Sequence, residues 1–312
     1  MAKRVRSPAE KYHDRVAGLY DSIYEDRSYW KTVFAIAWRH MRRFLPPDLS
    51  VRCLDLGCGT GRWGLRLLKA GYPVDFLDIS RKMLDRAAGK LARAGFRPVM
   101  RSCLADDAPP PPPGDGPPDP SAPVLWHATV DDLSALGAKR YGFIVGQGDP
   151  LGCARQPARA MKELTRLLAP GGVMAMSVDN RWQGLYHYFT AGDMDGLEEF
   201  LRTGRTRWVT DRAEERYPIA TFTPEGIRAL CEKRGLELLS LIGKTVLPLR
   251  RFRAMLEDED ARARLVRLEE RLHAEEALLA NAAHLEFIAR LPCKKMVCSA
   301  KKAASLGKRP TP

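Results

Sequence analysis

Apolar residues in this chain follow two patterns that take turns: short continuous runs, and longer stretches where they recur at i, i+3, i+4 and i+7. The first suits strands buried on both faces and the second helices with one apolar stripe, so their alternation predicts an α/β fold, a doubly wound parallel sheet between helices. Runs at 51–56 and up to Asp78, then at 124–133, 141–146, 173–178, 236–242 and 284–290, read as seven strands. A helical region spans 11–45, with Trp30, Val33, Phe34, Ala37, Trp38, Met41 and Phe44 on the face expected against the sheet, and Pro46 and Pro47 end it. A helix carrying Trp63, Leu65, Leu67 and Leu68 follows the first strand, and another covers 81–94 behind the cap Ser80 and ahead of Gly95. Further helices are predicted over 154–169, between Thr223 and Gly235, and over 253–279 with Leu265, Leu268 and Leu272 on one face.

Two stretches break the alternation. Residues 106–123, DDAPPPPPGDGPPDPSAP, cannot enter a helix or an interior strand, because proline supplies no N–H and blocks the helical ladder. They are expected as an exposed, solvated insertion that does not divide the fold, since the pattern resumes beyond them. The connection at 180–222 holds Trp182, Tyr186, His187, Tyr188, Phe189, Trp208 and Tyr217; it is too aromatic for a disordered linker and reads as a cap over a substrate. The layout is then an N-terminal helical lid (1–48), a main domain (49–292) with the insertion and the cap, and a tail (293–312).

Candidate chemistry gathers at residues 51–80, VRCLDLGCGTGRWGLRLLKAGYPVDFLDIS. Gly57, Gly59 and Gly61 alternate in a turn between a strand and a helix, where backbone without Cβ atoms takes φ > 0 and approaches a ligand, and where the helix start offers free N–H groups. Asp55 ends the first strand. Asp78 ends the second, about 20 residues past the glycines, the place from which a carboxylate accepts the hydroxyls of a ribose. A dinucleotide turn needs G-x-G-x-x-G, and Trp63 and Gly64 interrupt that spacing, which counts against a nicotinamide dehydrogenase.

With Asp55, Gly57, Gly59 and Gly61 in the pattern D-x-G-x-G-x-G, the chain resembles the class I S-adenosylmethionine-dependent methyltransferases. The resemblance implies a Rossmann-like seven-stranded sheet with its last strand antiparallel, and an enzyme using S-adenosyl-L-methionine. It puts the methionine part of that cofactor on the turn, which includes Cys58, and the ribose on Asp78. Ile79 and Met83 are implied to border the adenine, with plain core packing as the alternative for Met83. Where the family has Gly-Asp after the third strand this chain has Ala128-Thr129, leaving the Val130 N–H and Asp131 as adenine contacts. The turn Leu168-x-Pro170-Gly171-Gly172 is a common companion of the first motif. Tyr20 and Asp21 resemble the Y-D pair of a lid over the cofactor, against the alternative of ordinary core tyrosines.

Ligands of such sheets lie beyond the carboxyl ends of the strands. Gln147, in the loop Gln147-Gly148-Asp149-Pro150-Leu151, is therefore expected beside the cofactor, and Asp149, Asp179 and His187 near the acceptor as candidate general bases. Positioning of reactants supplies ~7–11 kcal/mol in reactions of this kind and one base roughly 3–5 kcal/mol, so a catalytic residue is hard to single out.

Composition changes the picture in a few respects. The net charge is +13, and six of those charges (Lys294, Lys295, Lys301, Lys302, Lys308, Arg309) lie in the tail with no acid beside them, which reads as a solvated end with nucleic-acid binding as the alternative. Seven dispersed cysteines without a C-x-x-C pair argue for reduced thiols and against a zinc site, so no metal is expected. No run is long enough to span a membrane and no signal region follows the N-terminus, so a cytoplasmic enzyme is expected, of unknown oligomeric state. The leading expectation is methyl transfer to an O, N or S nucleophile of a small molecule. The alternatives are an RNA or protein methyltransferase that grips its polymer with basic termini, and a cofactor-binding regulator without transfer activity.

Overall fold

The computed structural model describes residues 4–24, 27–104, 122–208, 210–249 and 251–293. In chain order it contains α1 (Pro8–Val16), α2 (Tyr20–Tyr24), α3 (Ser28–Met41), β1 (Cys53–Leu56), α4 (Arg62–Lys69), β2 (Val74–Asp78), α5 (Arg81–Arg93), β3 (Val99–Ser102), β4 (Val124–His127) and β5 (Tyr141–Gly146). There follow α6 (Pro157–Leu167), β6 (Leu168–Asp179), α7 (Arg181–Ala191), α8 (Met194–Thr203), β7 (Arg205–Trp208), β8 (Tyr217–Ala220), α9 (Pro224–Lys233), β9 (Glu237–Lys244), α10 (Glu259–Leu272) and β10 (His284–Arg290). One sheet runs in the order β3-β4-β2-β1-β5-β6-β10-β9; β10 is antiparallel to both neighbours, and β7 and β8 form a separate hairpin. From β1 the chain builds outward to β2, and from β5 to the other side, so a crevice opens where these two strands end.

Both sheet faces are covered. Trp63, Leu67, Phe76, Leu84 and Phe143 join one face to α3 (Ala37, Met41), α4 and α5; Ile144, Met161, Leu164, Ile227 and Phe287 join the other to α6 and α9. The doubly wound α/β reading holds, with corrections. The sheet has eight strands, not seven. The added β3 pairs with β4 at the edge, and its exposed and half-buried residues make no apolar run to announce it. The single helical region at 11–45 is three helices. Ala37 and Met41 pack on the sheet, whereas Trp30 and Val33 turn to Tyr29, Leu249 and Leu256.

The long charged helix at 253–279 shortens to α10 between 3-10 turns, and its inner positions are Val266 and Glu269 while Leu268 is exposed. Glu269 faces inward because its carboxylate accepts the N–H groups of Val246 (3.0 Å) and Leu247 (2.7 Å). The cap at 180–222 is α7, α8 and the hairpin. Residues 106–121 of the proline-rich stretch and 294–312 of the tail lie outside the described residues. No helix among the described residues is long and apolar enough to cross a membrane.

Candidate active site

Gly57, Gly59 and Gly61 have φ of +62°, +52° and +84°, a region that residues with a Cβ rarely adopt, which explains three glycines in one turn. The turn is held from the neighbouring strand. Cys58 N–H donates to Leu77 O (2.9 Å) and Gly59 N–H donates to Asp78 Oδ2 (2.8 Å). Asp78 Oδ1 accepts from Ser80 N (2.8 Å), and Ser80 Oγ caps α5 by accepting from Met83 N (3.1 Å). Burial raises the Asp78 pKa, against the pull of nearby His13 and of these N–H donors. The two acids singled out in the sequence thus frame one cradle.

Asp55 Oδ2 accepts from Gly64 N (2.7 Å), while its Oδ1 is buried with no hydrogen-bond partner among the described residues. Burial pushes this carboxyl up to about 7. An open buried acceptor beside a glycine cradle and a second buried carboxylate fits a ligand that brings a cationic group and hydroxyls, as an adenosyl amino acid does.

The N-terminal helices close over this cradle. The Tyr20 ring lies over Gly59, such that a Cβ there would stand 3.6 Å from Tyr20 Cε1. Asp21 Oδ1 accepts from Thr60 Oγ1 (2.6 Å) and Lys90 Nζ (2.8 Å), and Asp14 Oδ1 accepts from Ser80 Oγ (2.6 Å). Farther out, Tyr12 meets Trp208 edge-on with ring centroids 5.5 Å apart, and Trp208 and His13 each stand 6.4 Å from Tyr217. Arg15 grips Glu215 through Nε (2.7 Å) and Nη2 (2.6 Å). The N-terminal helices and the β7–β8 hairpin therefore form one aromatic roof. Its members Tyr12, His13, Trp208 and Tyr217 come from segments that no local motif connects.

On the other side of the switch point, Asp149 is buried with φ +61°; its Oδ1 accepts from Gly152 N (2.7 Å) and its Oδ2 from Asp179 N (3.2 Å). Burial, then the Asp179 charge, raise its pKa. Asp179 Oδ1 lies 2.9 Å from His284 Nδ1 on the adjacent strand. Nearby Cys153, absent from the sequence-based candidates, has its thiol pushed up by burial and by the Asp149 and Asp179 charges. His187 is exposed on α7 with its ring against Tyr188 (5.3 Å) and takes no part in the hydrogen bonds of the Asp149 and Asp179 pair. Asn180 Nδ2 donates to Leu279 O and Ala282 O (both 2.8 Å) and Arg181 Nη2 donates to Thr221 O (3.2 Å), so both serve the backbone.

Gln147 is buried, with Oε1 accepting from Lys244 Nζ (2.6 Å) and Nε2 facing Met41 Sδ (3.4 Å). Ile79 is half-buried, its carbonyl 2.9 Å from His127 Nε2. Met83 is buried with Val16 and Ala17 beneath Tyr12 and Tyr20. Val130 is half-buried, and Asp131 Oδ1 accepts from Arg155 N (2.8 Å), tying the loop after β4 to the loop after β5. Of the cap rings, Tyr186 and Phe189 are exposed and Tyr188 packs on Phe200. Among the described residues no group of three or more His, Cys, Asp or Glu is arranged to hold a metal.

The methyltransferase-domain family profile matches residues 29–241, more than half of the chain. The tRNA 5-carboxymethoxyuridine methyltransferase of Escherichia coli K12 is 23% identical over 265 residues, covering 84% of this chain and 88% of that protein. Among solved structures, a chain of the Haloferax volcanii complex between the Trm112 methyltransferase activator and a methyltransferase is similar over 91% of this chain and 97% of its own, with 17% identity and a TM-score of 0.53. An S-adenosylmethionine-dependent methyltransferase from Listeria monocytogenes matches over 82% of this chain and 96% of its own, with 17% identity and a TM-score of 0.52. The chain belongs to the methyltransferase-domain family and is a class I methyltransferase that uses S-adenosylmethionine.

Proposed function

We propose that this enzyme holds its cofactor between the glycine turn and the acid closing β2, and methylates an O, N or S nucleophile of a small molecule enclosed beneath the aromatic roof. In this reading Gly57, Cys58, Gly59 and Gly61 offer backbone to the methionine part, Asp55 Oδ1 takes its ammonium, and Asp78 takes the ribose hydroxyls on the lone pairs its two N–H donors leave open. Tyr20 closes the turn, and Ile79, Met83, Val130 and Asp131 border the adenine.

When bound, S-adenosylmethionine supplies a methyl group already activated on a sulfonium. The chain's own residues bind, align and exclude water. Burial raises the Tyr12, Tyr20 and Tyr217 phenols, so they stay neutral walls. For an acceptor that loses a proton, Asp179 with His284 behind it is the destination. Asp149 accepts the N–H groups of Gly152 and Asp179 and fixes the loop after β5 beside them.

The roof supports this reading: Tyr20 over Gly59 and Tyr12 against Trp208 set ring faces and edges beside the cradle, surfaces that suit a compact, flat acceptor. Calorimetric titration with S-adenosylhomocysteine tests the cofactor half. Asp78→Ala should weaken binding by about 100-fold, from two lost hydrogen bonds to a charged group, and an unchanged affinity would refute it.

A second reading, methyl transfer to RNA, is supported by the tRNA methyltransferase similar over 84% of the chain, and by Arg264, Arg267 and Arg271, which are exposed along one side of α10 without an ion pair among the described residues. Raising salt from about 50 to about 200 mM separates the two: polymer binding weakens steeply and small-molecule turnover does not.

A further inference from the structure

Buried charge also collects outside the cradle, where α3, β5, β9 and β10 converge. Lys244 (4% exposed) ends β9; its Nζ donates to Gln147 Oε1 (2.6 Å) and lies 3.2 Å from Glu286 Oε2 on β10. Glu286 is fully buried, its Oε1 2.6 Å from His40 Nδ1, and His40 Nε2 lies 2.8 Å from Ser240 Oγ. Replacing such a buried pair with apolar side chains of similar volume is often neutral or stabilising. Stability alone therefore does not account for it.

Gln147 supplies the reason. An ammonium has three donors and no acceptor, so the amide atom it meets is the oxygen, and the amide nitrogen is turned the other way. There it finds Met41 Sδ at 3.4 Å, a weak acceptor, and no other partner among the described residues. Register fixes where this donor stands. Asp55 pairs with Val145 across β1 and β5, so Gln147 lies two residues past Val145 as Gly57 lies two past Asp55. An open buried acceptor, Asp55 Oδ1, and an under-used buried donor, Gln147 Nε2, thus belong to the ends of adjacent strands. Together they complement the ammonium and carboxylate of an α-amino acid.

We infer that Lys244 is a positioning residue: held by Glu286, it orients the Gln147 amide so that its N–H groups receive the carboxylate of an amino-acid end of the bound ligand. The inference rests on the cofactor reading given above. It is tested on the full chain by calorimetry with two probes, S-adenosylhomocysteine and methylthioadenosine, the second lacking the amino-acid end. Lys244→Met/Glu286→Gln removes the ammonium together with its counter-charge. It should weaken S-adenosylhomocysteine by about tenfold or more and leave methylthioadenosine within roughly twofold, whereas Lys244→Arg should restore most of the difference.

Gln147→Met should reproduce the selective loss even where the double variant fails to fold. Gln147→Glu, which keeps a partner for Lys244 but puts an anion in place of the donor, should weaken S-adenosylhomocysteine further than Gln147→Met. Equal losses for both probes, or undiminished S-adenosylhomocysteine binding, would overturn the role of Lys244. Wild-type protein that takes up neither probe would overturn the cofactor reading and this inference with it.

Discussion

The two walls of the crevice are built by different means. On the sheet side, short-range partners meet through buried backbone donors and carboxylates: Gly64 N with Asp55 and Gly59 N with Asp78. On the roof, residues about 200 apart in sequence meet through ring edges and ion pairs, Tyr12 with Trp208 and Arg15 with Glu215 and Asp211. A buried carboxylate that loses its donor bears the full desolvation cost, so the first wall is stiff. Ring contacts contribute about 0.5–1.5 kcal/mol each beyond area burial, so the second wall can part and re-form. In the proposed reading, that difference makes a rigid seat for a constant cofactor under an adjustable cover for the acceptor.

The contrast breaks most visibly at Gly64. A Cβ there would overlap the Phe76 ring, so Gly64→Ala should destabilise the protein by about 2–3 kcal/mol and lower Tm by several degrees; an unchanged Tm would mean that the sheet wall yields.

Next is the pH response of Asp55. Its folded carboxyl is raised to about 7 from an ordinary value near 4, so between about pH 4 and about pH 7 the folded state binds more protons than the unfolded one. Stability of the cofactor-free protein from this group therefore falls as pH rises through that window, then levels off. If the ionised form receives the cofactor ammonium, S-adenosylhomocysteine affinity should rise about tenfold from pH ~6 to ~8. Asp55→Asn should abolish both slopes, read by thermal melts and calorimetry across pH.

A smaller effect is expected at the latch. Arg15→Ala should release S-adenosylhomocysteine roughly threefold faster in stopped-flow displacement and lower Tm by a few degrees, since the buried Glu215 carboxylate loses its bidentate partner. The smallest belongs to the outer face of the cap. Phe189→Ser, at a side chain that is 73% exposed, should shift stability by no more than about 0.5 kcal/mol and leave binding untouched.

Legibility divides along the same line. The cradle could be read because its signals are local: glycines at alternate positions, an acid two residues before them and another at the end of the next strand. Strands 141–146 and 284–290 coincide with β5 and β10 for the same reason, being apolar runs between clear turn residues. The misread parts lacked such signals. β3 is an edge strand without an apolar face, and α10 turns Glu269 inward because a loop offers it two N–H groups. The aromatic cap was legible as a composition. Yet of its rings Trp208 and Tyr217 meet the N-terminal helices while Tyr186 and Phe189 stay in solvent, which no count of aromatics distinguishes.

Residue order alone therefore settles the alternation of strands and helices and the glycine turn with its two acids, because periodicity and backbone freedom act over a few neighbouring positions. Only folding decides that Tyr12 reaches Trp208, that Asp149 accepts two backbone N–H groups while Asp179 faces His284, and that Lys244 turns the amide of Gln147. These outcomes depend on desolvation and on distances between distant segments, and a linear pattern carries neither.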